Sequence, residues 1–161
     1  MSDTLAMQMT LMSQSTECLE FRLAMRNTSS DKLLVPRPAI NCLRFGNMAT
    51  GKESRWRTRW LDSADWAGYF IDSGEVQTVD YQVRPCSVAK PARNTFSEYA
   101  RCCVELSAAG YLVWLKFEVN QDYVCGDSHY RYADLVWEAL SEEAQVWTGI
   151  AMSDRLNVVW Q

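Results

Sequence analysis

The chain contains the segment Leu106-Ser-Ala-Ala-Gly110-Tyr111-Leu-Val-Trp-Leu-Lys-Phe-Glu-Val-Asn120, which alternates strictly after a turn of small residues. Every second residue from Tyr111 to Val119 is aromatic or aliphatic, and the residues between them become polar towards Asn120. Alternation with a period of two is typical of an antiparallel strand with one buried face. We therefore predict a strand here, with the side chains of alternate residues in the core: Tyr111, Val113, Leu115, Phe117 and Val119.

Similar alternation recurs along the chain, with turn residues between the alternating segments. It predicts strands at residues 5–11, 19–25, 40–45, 55–61, 76–83, 144–152 and 156–160. Residues 33–35 precede Pro36 and Pro38, so an edge or connecting segment is expected there. One helix could occupy 132–143, where the sequence leaves helix and strand both open. We predict a single all-β domain spanning 1–161, in which seven to nine strands and at most one short helix form two packed antiparallel sheets.

Two motifs resemble those of bacterial immunoglobulin-like β-sandwich domains. Gly110-Tyr111 resembles a tyrosine corner at the start of the penultimate strand, and Trp147-Thr-Gly149 with Ser153-Asp154 resembles the turn before the last strand. Val113 stands where the second cysteine of an antibody-type disulfide would lie, so the resemblance is to domains without that inter-sheet bond. It implies an immunoglobulin-like fold and no particular activity.

The charge of the chain argues against two classes of partner. The net charge is −4 and the isoelectric point is about 5.0, whereas phosphate recognition needs a basic face, so no nucleic acid is expected. The sequence has no apolar run long enough to span a membrane and no basic, apolar leader at its start. We therefore expect a cytoplasmic protein without membrane contact.

Six cysteines lack the spacing of a metal site, and in a cytoplasmic chain we expect them to be reduced, whereas some of them could pair if the protein is exported. They are Cys18, Cys42, Cys86, Cys102, Cys103 and Cys125. On a strand, the neighbours Cys102 and Cys103 would point to opposite faces, so only one of them can enter the core.

Catalytic and metal-binding residues are not expected. His129 is the single histidine, and with Cys125 and Asp127 it would have to form a site within one short loop, which rarely fixes three groups. Asp62, Asp65 and Asp72 could offer calcium ligands, but loop carboxylates are normally solvated. We predict no catalytic residue, no metal and no cofactor.

The run Arg55-Trp-Arg57-Thr-Arg59-Trp60 carries three guanidinium groups on one face of a strand. It could be a strand with tryptophan inside and arginine outside, neutralised by local carboxylates. Alternatively, Arg55, Arg57 and Arg59 could form a ladder that recognises an acidic partner, because arginine and tryptophan are common in binding hot spots.

Aromatic and acidic residues recur in the predicted loops, where a sandwich usually carries its function. They could pack over the ends of the core, or gather into a partner-binding tip. The predicted partner-binding residues are Trp66, Tyr69, Phe70, Asp62, Asp65, Asp122, Tyr123, Asp127 and Tyr130.

These patterns favour a non-catalytic domain that binds another protein. The specific hypothesis is a small intracellular bacterial inhibitor or immunity protein that occludes a toxin or hydrolase with a basic surface. The alternatives are a carbohydrate-binding module that stacks sugars on Trp66, Tyr69 and Phe70, an assembly subunit that pairs through its edge strands, and an enzyme centred on Cys125 and His129.

Overall fold

Strands dominate the described part of the chain, which in this computed structural model comprises residues 4–58, 68–87, 102–122, 124 and 132–161. The strands are β1 (Leu5–Gln14), β2 (Leu19–Asn27), β3 (Leu33–Pro36), β4 (Leu43–Asn47), β5 (Trp56–Thr58), β6 (Gly68–Ile71), β7 (Val76–Val83), β8 (Cys102–Val104), β9 (Ala109–Val119), β10 (Gln145–Val146), β11 (Gly149–Met152) and β12 (Leu156–Trp160). The α-helix found in these residues is α1 (Tyr132–Leu140). The predicted predominance of β-strands is confirmed, and α1 is the one α-helix in these ranges.

The described residues hold twelve strand segments, where seven to nine strands were predicted. Short strands such as β6 and β8 escaped the count because three or four residues are too few to show alternation. In addition, the predicted strand at 144–152 is divided at Trp147 and Thr148 into β10 and β11, which belong to different sheets.

β9 is paired along both of its edges. On one edge it pairs antiparallel with β4, and on the other with β11 and then β12. The alternate side chains predicted to point inward are all at most 2% exposed. They are Tyr111, Val113, Leu115, Phe117 and Val119. The predicted alternation is therefore confirmed, and β9 is the central strand of its sheet.

A bulge at Ser153 lets β11 and β12 follow the same edge of β9 in succession. The Ser153 N–H donates to the Leu115 carbonyl at 2.9 Å, and the Ser153 hydroxyl accepts the Leu115 N–H at 2.8 Å. The hydroxyl thus accepts the hydrogen bond that a backbone carbonyl would accept in an uninterrupted ladder. Next to it, Asp154 Oδ1 accepts the Met9 N–H at 2.8 Å, which fastens β1 to this edge.

Aromatic rings connect the sheet of β9 with a second antiparallel sheet of order β1-β2-β7. Phe21 of β2 meets Phe45 of β4 edge-on, with ring centroids 6.1 Å apart. Phe45 also makes edge contacts with Tyr111 at 6.4 Å and with Trp56 at 6.1 Å. The buried faces of the two sheets therefore contact each other, in the ring geometry that aromatic quadrupoles favour.

A third sheet has the order β10-β3-β6, so β3 is its central strand. The prediction that 33–35 forms an edge or connecting segment is therefore wrong. β10 pairs only with Leu33 and Leu34, whereas Pro36 pairs with Gly68 of β6. The proline lies beyond the doubly paired part of β3, so its missing N–H interrupts no ladder on that side.

The strand predicted at 40–45 starts later than expected. Ile40–Cys42 forms a 3₁₀ helix, in which the Cys42 N–H donates to the Ala39 carbonyl at 3.0 Å. Extended backbone returns at Leu43, where β4 begins. Short 3₁₀ turns of this kind are common connectors, and alternation of side chains does not reveal them.

Asn27, at the end of β2, is fully buried and bonds to two turns. Its Nδ2 donates to the carbonyls of Ile71 at 2.8 Å and Asp31 at 2.7 Å. Its Oδ1 accepts the Ser29 N–H at 2.9 Å and the Ser29 hydroxyl at 2.7 Å. Its backbone N–H donates to the Glu75 carbonyl at 3.0 Å, in the turn between β6 and β7. One amide side chain therefore joins β2 to both turns.

We expect Asn27→Ala to lower the free energy of unfolding by about 3 kcal/mol, because the Ile71 carbonyl loses a buried donor and the Asp31 carbonyl a partly buried one. Urea unfolding followed by tryptophan fluorescence measures this loss. Asn157→Ala, at an exposed position of β12, is the matched control and should change stability by less than about 0.5 kcal/mol. Equal stability of the two variants would contradict the role given to Asn27.

Tyr81 is buried in β7, and its hydroxyl donates to the Pro38 carbonyl at 2.6 Å. Burial, reinforced by the neighbouring Cys42, raises the pKa of this phenol well above its ordinary value. The folded chain therefore holds the proton more tightly than the unfolded chain does. The resulting stabilisation is complete below about pH 10 and is lost as the pH rises from there through the folded-state pKa.

We expect Tyr81→Phe to be less sensitive to alkaline pH than the unsubstituted protein, because the phenylalanine has no proton to lose. Urea unfolding at about pH 8 and about pH 11 gives the loss of stability for each protein. Tyr132→Phe, at the half-buried first residue of α1, is the control and should keep the alkaline loss that Tyr81 causes. If Tyr81→Phe lost as much stability as the unsubstituted protein, Tyr81 would not be the group responsible.

Candidate functional site

Most of the predicted partner-binding residues lie outside the described residues. This applies to Trp66, Asp62, Asp65, Tyr123, Asp127 and Tyr130. It also applies to Arg59, Cys125 and His129. The structure brings Tyr69 and Phe70 together on β6 and places Asp122 in the turn after β9.

Tyr69 and Phe70 are half-buried and pack against the core. Because they are neighbours on a strand, their side chains point to opposite faces. The Lys32 Nζ lies 5.8 Å from the centroid of the Phe70 ring. Asp122 is exposed, and its N–H donates to Asn120 Oδ1 at 2.8 Å. In the described part of the chain, the two aromatic residues thus contribute to packing, and Asp122 belongs to a separate turn.

The arginine run alternates as predicted where it is described. Trp56 is half-buried and donates its Nε1–H to the Leu43 carbonyl at 2.8 Å. Arg57 is exposed on the other face and donates its Nε–H to Glu105 Oε1 at 2.6 Å. Arg55 is also exposed. Local ion pairing, one of the two roles considered for this run, therefore occupies Arg57.

The expectation that all six cysteines are reduced is wrong for one pair, because Cys86 and Cys103 form a disulfide with their Cα atoms 4.9 Å apart. The cause lies in the backbone. The Cys86 N–H donates to the Val104 carbonyl at 2.8 Å, and the Val104 N–H donates to the Arg84 carbonyl at 3.1 Å. These bonds hold the end of β7 against β8. Cys102 is buried on the opposite face of β8, as predicted for adjacent cysteines.

An open cleft of about 520 Å³ lies beside the disulfide. Its lining includes Cys86, Arg57, Glu105, Ser107 and Tyr111. Arg57 and Glu105 form an ion pair with each other, and the Tyr111 hydroxyl accepts the Ser107 N–H at 2.9 Å. These groups already have partners within the protein, so they indicate no particular ligand.

The surface that sequence reasoning missed is on α1. Leu135 and Ala139, one turn apart, are buried where the helix packs on β3 and β10. Four further apolar residues follow at positions i, i+3, i+4 and i+7 and face the solvent. This apolar stripe consists of Ala133, Val136, Trp137 and Leu140. Trp137 is 78% exposed and Leu140 is 66% exposed. A helix that covers a core normally presents polar residues outward, so the stripe needs another explanation.

Carboxylates border the apolar stripe. Asp134 and Glu138 are exposed and one helical turn apart, which is a mildly unfavourable like-charge pair. Residues 132–143 contain no lysine or arginine. Glu142 pairs with Lys32 at 3.0 Å, and Glu143 has a φ of 54°, in the left-handed region that favours glycine. Keeping a glutamate in this conformation costs about 1 kcal/mol. Asp134 lies in the first turn, where the helix dipole favours a carboxylate, whereas Glu143, beyond the end of α1, is held against its local preference.

A signal for the apolar stripe was present in the sequence. Helical spacing in the sequence joins Tyr132, Leu135, Val136, Ala139 and Leu140 on one face, and Trp137 falls outside it. In the structure only Leu135 and Ala139 of these are buried. A helix with a tryptophan beyond its main apolar face has two apolar faces, and only one of them can meet the core.

Comparisons with protein-family models, with curated proteins and with solved structures give no match to this chain. Within the ranges that the structure describes, no group of three or more His, Cys, Asp or Glu residues is placed to hold a metal ion. In the same ranges, no helix is both long enough and apolar enough to cross a membrane.

We expect the double substitution Cys86→Ser/Cys103→Ser to lower the free energy of unfolding by about 3 kcal/mol. The bond joins residues 17 apart and restricts the unfolded chain. Urea midpoints without reductant measure the loss, and a dithiol reductant should produce the same loss in the unsubstituted protein. Cys18→Ser is the control, because Cys18 forms no disulfide. Unchanged midpoints for the double variant would contradict the stabilising role of the bond.

Proposed function

We propose that this chain is a non-catalytic domain that binds and occludes another protein, and that the apolar stripe of α1 is its main contact. The observation that carries the proposal is the exposure of Trp137 beside Val136 and Leu140 on one helix face. Large apolar side chains grouped in this way mark interaction sites, whereas scattered single ones do not. Tryptophan is also among the residues that most often dominate binding energy.

The charges around the stripe indicate the chemistry of the partner. Asp134 and Glu138 lie beside Trp137, and the whole chain carries a net charge of −4. A partner with an apolar pocket inside a basic rim would bury Trp137 and meet these carboxylates. Acidic rim residues would accelerate the encounter, and the buried tryptophan would slow dissociation.

The fold part of the proposal is an immunoglobulin-like sandwich. In that fold the two sheets contain strands A, B and E and strands C, F and G. The orders β1-β2-β7 and β4-β9-β11/β12 correspond to these sets. The Tyr111 hydroxyl bonds to the backbone of Ser107, four residues upstream, as in a tyrosine corner. The contact of Phe21 with Phe45 joins the two layers.

An inhibitor or immunity protein of bacterial type fits this mode of action, because a rigid sandwich can present one helix to an enzyme or toxin. The disulfide indicates the cellular compartment in which the partner would be bound. Cys86–Cys103 would persist in an oxidising compartment, whereas the cytoplasm would keep the pair reduced. The bond therefore favours an oxidising compartment over the cytoplasmic location expected from the sequence.

We expect Trp137→Ala to weaken partner binding by at least about tenfold, because it removes the central apolar anchor. The unsubstituted chain and the variant are immobilised and exposed to the same extract of the native cell. The protein retained by the unsubstituted chain is then titrated against both by surface plasmon resonance. Asp134→Asn/Glu138→Gln should mainly reduce the association rate and its dependence on salt.

The matched control is Met12→Ala, an exposed apolar residue of β1 that lies outside the stripe. It should leave the affinity unchanged. Equal retention of the same protein by the unsubstituted chain and by Trp137→Ala would overturn the role given to α1. Retention of no protein near physiological salt would overturn the binding function itself.

A further inference from the structure

The Cys86–Cys103 disulfide lies near the surface of the protein. Both of its cysteines are half-buried, and Cys86 lines the open cleft of about 520 Å³. The neighbouring Cys102 is buried. A thiol can therefore approach the bond from the cleft, on the side of Cys86, while the chain stays folded. Exposed disulfides are typically the labile and regulatory ones.

A positive charge lies beside the other half of the bond. Cys103 pairs in register with Arg57 of β5, so the two side chains leave the same face of the strands with Cβ atoms about 5 Å apart. The Arg57 Nε–H donates to Glu105 at 2.6 Å, but this ion pair is exposed and therefore weak. The guanidinium can turn from the carboxylate to a thiolate at Cys103, and a nearby cation stabilises a thiolate.

We propose that Cys86–Cys103 is a reversible redox site, which an external dithiol reduces from the cleft while the sheets of β2 and β9 stay folded. A thiolate of the dithiol attacks Sγ of Cys86, the bond between the two cysteines breaks, and Cys103 leaves as a thiolate beside Arg57. The second thiol of the dithiol then attacks the mixed disulfide and releases Cys86. The dithiol loses two electrons and two protons and becomes a disulfide, and the protein gains two thiols.

Reduction would act on a short junction between β7 and β8. Besides the disulfide, the Cys86 N–H donates to the Val104 carbonyl, and the Val104 N–H donates to the Arg84 carbonyl. Pro85, opposite Val104, has no N–H with which to extend this ladder. Within the described ranges, β8 otherwise pairs with β5 in a two-stranded sheet separate from those of β2 and β9. Reduction should therefore loosen β8 from β7 locally. The inference does not rest on the function proposed for α1, because it uses other elements.

Reduction kinetics in native conditions test the proposal. The unsubstituted chain is treated with dithiothreitol at urea concentrations below the unfolding transition, and new thiols are trapped with a maleimide and located by peptide mass spectrometry. Because the folded chain is attacked directly, the second-order rate constant should barely change with urea. A rate constant that rises with urea as steeply as the unfolding equilibrium would overturn the proposal, since the bond would then react only after global unfolding. Glutathione disulfide should afterwards restore the Cys86–Cys103 pair, and recovery of a different pair would contradict a reversible site.

Charge variants test which sulfur departs. Arg57→Gln should lower the second-order rate constant at least about threefold, because the departing Cys103 thiolate loses its cation. Glu105→Gln frees the guanidinium and should raise the rate constant. Arg26→Gln removes the same charge from an exposed position of β2 and is the matched control, with an unchanged rate constant. Urea unfolding of each variant shows that it is folded. Equal rate constants for the two arginine variants would overturn the proposed course of the reaction.

Hydrogen exchange distinguishes local loosening from a general loss of stability. Reduction should accelerate exchange of the Val104 amide, which bonds to Arg84 at the junction, by a larger factor than exchange of the Leu115 amide in β9. Acceleration of both amides by the same factor would mean that reduction only lowers the global stability. That result would overturn the local effect proposed for the redox site.

Discussion

The architecture depends on β9, which satisfies hydrogen bonds on both edges while burying a whole face, as β2 does in the second sheet. Its neighbours β4, β11 and β12 take up its backbone groups. Its inward side chains line the core, where Tyr111 contacts Phe45 and Phe45 contacts Phe21 of the second sheet. A polar residue at Val113 or Leu115 would put an unsatisfied group where both sheets exclude water, so the alternation is a requirement of the fold.

Irregular points of the chain are held by polar side chains in place of regular ladders. Asn27 bonds to two turns at one end of β2. At the bulge, the Ser153 hydroxyl accepts the N–H of Leu115 in β9. Asp154 accepts the N–H of Met9 and so binds β1 to the same edge. Buried backbone groups need partners wherever a strand ends or bends. These few short side chains provide them, which lets the strands change direction without leaving buried groups unpaired.

Apolar surface that the core does not use is concentrated in two places. One is the apolar stripe on α1, and the other is the outer face of the β9 sheet, which exposes more than half of Ile150, Met152 and Val159. The two surfaces have different settings. The charged residues within α1 are carboxylates, Asp134 and Glu138, which suits a basic partner, whereas both signs of charge lie on the sheet face, at Lys116 and Glu118. Exposed apolar area alone does not identify a partner, because the surrounding charge selects what such a surface can bind.

The sequence alone determined the strands whose alternation is long and strict. β2, β7 and β9 could be predicted with their buried faces because a period of two reports directly on which side chains avoid water. The helix within 132–143 was indicated by a different period, since Leu135 and Ala139 lie one helical turn apart. For the arginine run, the sequence correctly predicted that the side chains of Trp56 and Arg57 point to opposite faces of the strand.

Tertiary structure alone decided what depends on contacts between distant segments. The central place of β3 comes from β10, more than a hundred residues later, and the Cys86–Cys103 bond comes from the pairing of the end of β7 with β8. The exposure of Trp137 was decided in the same way. Helical periodicity shows that α1 has apolar residues on more than one side, but only packing on β3 and β10 selects the side that is buried. Periodicity is a local property, whereas burial is set by whichever neighbour the completed fold brings into contact.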